Sequence, residues 1–129
     1  MSSLPTQLRL NNHLIRWNEE IAQFEAALKA YGEAKADLEY RRAVTVQTAK
    51  HQDEKLTQAA AERIADGDQE TYRLHREYRA AEALVEAKRA RLRWCSAVAD
   101  ALRSEVSTER SERQLYADHG TDQGGTNVR

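Results

Sequence analysis

The sequence predicts an all-α protein of long helices, built as a helical hairpin or coiled coil and assembling into a homo-oligomer. Three observations predict it. Residues 69–113 hold one unbroken seven-residue pattern with neither glycine nor proline. The chain has 129 residues, of which 32 % are charged and 6 % aromatic, with five glycines and one proline, a composition shared by long helices and coiled coils. Large apolar residues are too few for a thick core in a single chain. Long helices draw most of their stability from packing an apolar stripe rather than from propensity, so stripe-to-stripe packing between chains is expected.

The first helix is expected over 4–40. Pro5 suits a first turn, with Ser2 or Ser3 as caps. Leu10, Leu14, Trp17, Ile21, Phe24, Leu28, Tyr31 and, after Lys35, Leu38 follow at steps of four and three, which keeps one face toward a partner. Gly32 costs about 1 kcal/mol against alanine in a helix and allows a kink or a short break. From 41 to 66 the apolar signal weakens. Val44, Val46, Ala49, Leu56, Ala60 and Ile64 fit a helix that buries little, and the β-branched stretch from Val44 favours fraying or a loop.

Asp66-Gly67-Asp68 reads as a turn in which Gly67 ends one helix and Asp68 caps the next. A calcium loop needs a longer alternation of oxygen ligands and a distal glutamate, which the spacing here lacks. The third helix is expected over 69–115. Leu74, Tyr78, Ala81, Val85, Leu92, Cys95, Ala99, Leu102 and Val106 form its stripe, with Lys88 filling one slot. Val85, Leu92, Cys95, Ala99, Leu102 and Val106 are the expected oligomer interface. One helical domain is thus expected over 1–117. Residues 118–129, polar and glycine-bearing, read as a disordered tail.

No catalytic constellation stands out. His13, His51, His75 and His119 are scattered, and none lies four residues from another, so no two-histidine helical metal site forms. There is no phosphate-cradling glycine loop and no nucleophile elbow. Cys95 is the only cysteine and lies on the apolar stripe, where a buried thiol is expected. The reading is of a protein that is not an enzyme and needs no cofactor. No apolar run reaches membrane-spanning length and the first residues lack a signal-peptide build, so a cytoplasmic protein is expected.

The net charge of −1 does not announce a nucleic-acid protein. Its distribution is uneven. From Gln69 to Arg93 seven basic residues face four acidic ones, and from Trp94 to Arg129 four basic face six acidic. Tyr40-Arg41-Arg42 sets an aromatic ring beside two guanidinium groups, a combination that suits phosphates and unpaired bases. Lys88, Arg89, Arg91 and Arg93 form a second basic cluster. The competing reading of both clusters is a solvated face, paired with Glu82 and Glu86 at helical spacing.

The phrase Trp94-Cys95-Ser96-Ala97-Val98-Ala99-Asp100-Ala101-Leu102-Arg103-Ser104 resembles the C-terminal helix of the UvsY family, the recombination mediator proteins of T-even-like phages. That family carries an aromatic-Cys-Ser-Gly-Ala-Leu-Asp-Ala-Ile-Lys-Ser phrase there. Upstream, Lys35-Ala36-Asp37-Leu38-Glu39-Tyr40 resembles the family's Lys-Ala-Arg-Leu-Asp-Tyr phrase, which is linked to single-stranded DNA binding. Asp37 stands where the family has arginine, and Arg41 and Arg42 follow one turn later. Together the two phrases and the similar size extend the likeness over about half the chain.

The resemblance implies a protein that binds single-stranded DNA, with Lys35 and Tyr40 in the matched phrase; with the basic residues Arg41, Arg42, Lys88, Arg89 and Arg91 read above, these are the expected DNA contacts. Such a protein would loosen the single-strand-binding protein and help a RecA-like recombinase assemble in the host cell. It also implies a ring of six or seven subunits. A ring multiplies one weak site several-fold by avidity. The alternative is a structural or adaptor coiled coil that uses the same stripes and binds no nucleic acid.

Overall fold

The computed structural model describes residues 5–127, with side chains as far as Asp118. The described chain is all-helical: α1 (Thr6–Gln52), α2 (Gln58–Asp66) and α3 (Gln69–Asn127). Contacts group it into two compact units, one of Met1–Glu19 with Leu92–Arg129 and one of Glu20–Arg91. α1 and α3 contribute to both.

α1 runs 47 residues without a break, past both places where the sequence allowed one. Gly32 is an ordinary helical residue, since no glycine among the described residues has positive φ. The β-branched run from Val44 is helical too. The Thr45 hydroxyl donates to the Arg41 carbonyl at 2.8 Å, so its polar group is matched within the helix. Val44, Thr45 and Val46 are half-buried and Ala49 is buried, so packing offsets the modest β-branched penalty.

The interruption comes later, at 53–57. The Asp53 carboxylate accepts from Lys55 N–H at 3.1 Å, and its carbonyl accepts from Leu56 N–H at 3.0 Å. This is the local turn chemistry by which aspartate competes with a helix. Thr57 then caps α2, its hydroxyl accepting from Ala60 N–H at 3.1 Å. Only nine residues long, α2 buries Ala61 and Ala65 completely.

The turn between α2 and α3 follows the sequence reading with one difference. Gly67 is right-handed, at φ −86° and ψ −4°, so it does not exploit glycine's freedom. Asp68 is the cap of α3. Its carboxylate accepts from the Thr71 N–H at 2.9 Å and the Thr71 hydroxyl at 3.0 Å, while its carbonyl accepts the first helical bond, from Tyr72 N–H at 3.0 Å. α3 then continues to Asn127, where a tail was expected from 118; the expected caps Ser2 and Ser3 and the last two residues lie outside the described residues. A helix once started propagates through its own i to i+4 backbone bonds, which a sequence reading based on packing residues does not weigh.

In the unit of Met1–Glu19 with Leu92–Arg129, Leu10, His13, Cys95 and Ala99 are buried. The His13 Nε2 donates to the Cys95 carbonyl at 2.7 Å, and its ring meets Trp17 at 6.4 Å and the Trp94 ring edge-on at 5.8 Å. Thr6 donates to Glu109 at 2.5 Å, and Arg9 bonds Glu105 at 3.2 Å. These pairs run the two helices antiparallel in this unit.

In the unit of Glu20–Arg91, Ala27, Leu74 and Val85 are buried. Tyr31 stacks on Tyr78 with centroids 5.4 Å apart, and their hydroxyls are 3.3 Å apart. Such a pair adds about 1 kcal/mol beyond its area. The shared hydroxyl bond raises the Tyr78 phenol above its ordinary pKa.

The α3 stripe is the one the sequence predicts, but its partner is α1 of the same chain. Val85, Cys95 and Ala99, expected at a subunit interface, are buried within the single chain, and Leu92, Leu102 and Val106 are half-buried. The α1 stripe is shifted. Leu10, Leu14, Trp17, Phe24, Tyr31 and Leu38 are buried or half-buried as expected, and His13, Glu20, Ala27 and Ala34 join them on that face. The larger Ile21 and Leu28 are left 37 % and 40 % exposed. Small residues at 27 and 34 let the helices approach closely, and His13 and Glu20 find polar partners on α3 in the Cys95 carbonyl and the Lys88 and Arg91 cations.

Candidate nucleic-acid interface

All seven residues expected to contact DNA belong to the unit of Glu20–Arg91, and five of them carry partners. Arg41 lays its guanidinium fork on Asp68, with Nε at 3.0 Å and Nη2 at 3.1 Å from the two carboxylate oxygens. That pair, together with the Thr71 bonds, lowers the Asp68 carboxyl to about 2 and raises the Arg41 guanidinium. Arg41 therefore ties α1 to the cap of α3. Its neighbour Arg42 reaches Asp66 at 3.1 Å and stays largely exposed, with 44 % of its side chain accessible.

On α3, Lys88 and Arg91 converge on one carboxylate. Lys88 Nζ lies 3.6 Å from Glu20 Oε2 and Arg91 Nε 3.6 Å from Glu20 Oε1. Lys88 also donates to Gln23. Both distances exceed hydrogen-bond range, and the buried Glu20 Oε2 accepts no hydrogen bond. Charge attraction draws both cations to Glu20. Arg89 donates to Glu86 at 2.7 Å and lies 5.8 Å over the Phe24 ring. The acidic partners the sequence proposed for this cluster are right for Glu86. Glu82 instead pairs with Arg79 at 3.2 Å, and Glu20, distant in sequence, was missed.

Lys35 and Tyr40 are exposed, Tyr40 to 74 %. A second exposed aromatic, Tyr72 at 61 %, was not singled out in the sequence. Arg76 lies over its ring at 5.9 Å. The signal was present as an aromatic and an arginine four residues apart on a helix. Tyr72 and His75 from α3, Leu38, Glu39 and Arg42 from α1, and Asp66 line an open groove of about 490 Å³. Beside it, Arg73 bridges Glu70 and Glu77, and this bond lowers the Glu70 carboxyl and raises the Arg73 guanidinium.

The groove offers an aromatic face, an apolar floor and both signs of charge. Among the described residues no group of three or more histidine, cysteine, aspartate or glutamate side chains is placed to hold a metal ion. No helix of the described residues is long and apolar enough to cross a membrane. Comparison with protein-family models, with curated proteins and with solved structures gave no match.

Proposed function

We propose that this chain is a recombination mediator: it binds single-stranded DNA and helps a RecA-like recombinase load in place of the single-strand-binding protein. The resemblance of the 94–104 phrase to UvsY proteins supplies the class. The observation that carries the reading is the exposed aromatic and guanidinium surface of the Glu20–Arg91 unit, above all Tyr72 under Arg76 beside the Arg42 groove. Unpaired bases stack on such faces, at about 1–3 kcal/mol per base, without sequence preference. Charge contributes less, because Arg41, Lys88, Arg89 and Arg91 already face carboxylates. Binding by one subunit is therefore weak, and a homo-oligomer on one strand raises it by avidity.

Those same ion pairs favour a second reading, a structural or adaptor helical protein whose charges only fix its fold. Fluorescence anisotropy of a labelled oligo-thymidine separates the two. The mediator reading expects affinity that falls with added salt, a preference for single over double strands, and a loss of about tenfold in Tyr72→Ala. Arg42→Ala weakens binding and flattens the salt dependence. Folded protein with no affinity at low salt leaves the adaptor reading.

A further inference from the structure

The groove beside Tyr72 offers two kinds of surface to a base, and only one of them is indifferent to which base it is. Stacking on the Tyr72 ring serves any base, because every base has a π-face. Arg76 lies over that ring at 5.9 Å and is not among the groove-lining residues, so it backs the ring and leaves the groove side open. The polar lining is different. It consists of Glu39, Arg42, Asp66, Thr71 and His75.

The hydrogen-bonding capacity of that lining is lopsided. Glu39 is exposed and has no hydrogen-bond or ion-pair partner among the described residues, so both of its oxygens are open acceptors. Asp66 accepts from Arg42 Nε at 3.1 Å through one oxygen, and its second oxygen accepts no hydrogen bond among the described residues. The Thr71 hydroxyl gives its proton to Asp68 at 3.0 Å, so it adds no donor. Arg42 is a donor, but its Nε is held by Asp66 and the rest of its fork suits a phosphate. His75 donates or accepts according to its tautomer. The edge of a base held against Tyr72 therefore meets carboxylate oxygens that lack donors. A carboxylate accepts from N–H groups and repels carbonyl oxygens. Cytosine presents an amino group at its position 4, a natural partner for aspartate or glutamate, where thymine presents a carbonyl oxygen. The two pyrimidines are close in size and stack alike, so the amino group is what separates them.

We propose that this groove selects unpaired bases by their amino group, with Glu39 and Asp66 accepting from cytosine N4. Thymine is held there by stacking on Tyr72 and by the Arg42 contact to phosphate alone. This base preference rests on the nucleic-acid reading of the groove and adds to it. It gives the two carboxylates a partner in a groove where they otherwise only repel the phosphates of the strand.

Fluorescence anisotropy of the full chain with labelled oligo-deoxycytidine and oligo-deoxythymidine of equal length tests it, at mildly alkaline pH, where cytosine runs stay single-stranded. The wild type is expected to bind the cytidine strand about tenfold more tightly, the discrimination that one well-placed contact to a base edge supplies. The double variant Glu39→Gln, Asp66→Asn changes only exposed side chains, and circular dichroism checks its helical fold. Its amides donate to thymine O4 as readily as they accept from cytosine N4, so it is expected to bind the two strands alike. A ratio that the double variant leaves unchanged overturns the proposal, because the carboxylates then act only by repelling phosphate. Equal binding of both strands by the wild type overturns it too, and leaves the mediator reading standing. Absence of binding to either strand at low salt, by folded protein, overturns both.

Discussion

Gly32→Ala tests the continuity of α1 where the sequence left it open. In the structure Gly32 lies inside a 47-residue helix, and a methyl group built there meets nothing within 4 Å. The change therefore carries no steric cost. Its gain is the difference in helix propensity, about 0.8–1.0 kcal/mol. Unfolding entropy of about 2.1 cal/mol/K per residue gives roughly 270 cal/mol/K for 129 residues. A gain near 1 kcal/mol then raises Tm by about 3–4 °C. Thermal unfolding followed by circular dichroism at 222 nm reads this directly, at matched protein concentrations because association shifts Tm. An unchanged or lower Tm refutes the reasoning. It would mean that the chain bends at residue 32 or uses a backbone conformation there that alanine resists.

Three further outcomes follow from the packing. Gly67→Ala is expected to be neutral or to stabilise by about 0.4–1 kcal/mol, because φ is −86° and the added Cβ lies 3.6 Å from the Arg63 carbonyl oxygen, an ordinary contact; a clear loss in urea titration would show that the turn needs a left-handed residue. Val85→Asp sets an unpaired carboxylate in a site 5 % exposed and should cost at least about 3 kcal/mol. The helical signal itself is lost, whereas a subunit-interface role for Val85 predicts a folded, dissociated chain. Asp68 gives a pH dependence whose sign is fixed. Its carboxyl is depressed from 3.8 to about 2, so its contribution is fully present above about pH 4 and disappears as pH falls toward 2. Urea midpoints measured between about pH 5 and pH 2 should fall more steeply for the wild type than for Asp68→Asn, and parallel curves would remove Asp68 from that role.

Much of the candidate site was legible because its residue types are rare and local. Tyr40 beside two arginines and the basic run from Lys88 are visible without a fold. Their electrostatic state was not, since the partners lie far along the chain: Asp68 for Arg41, Asp66 for Arg42, and Glu20 for both Lys88 and Arg91. A cluster that reads as available cation becomes largely paired once the helices fold together. Tyr72 and Arg76 went unread for the opposite reason, because one aromatic and one arginine on a charged helix carry little signal until exposure and the neighbouring groove single them out.

The sequence by itself determined the all-helical class, the turn at 66–68 with its aspartate cap, and the inward stripe of α3. Those properties depend on periodicity and on side chains acting within a few residues of themselves. Only the tertiary structure decided which α1 face turns inward, and that the α3 stripe is met by the same chain. Hydrophobicity ranks Ile21 and Leu28 above Glu20 and Ala27, but the inward face is chosen by the partner helix. His13 finds the Cys95 carbonyl, Glu20 finds Lys88 and Arg91, and Ala27 allows close approach. A buried polar group without a partner costs more than a half-exposed leucine does, and no count along a single helix contains that comparison.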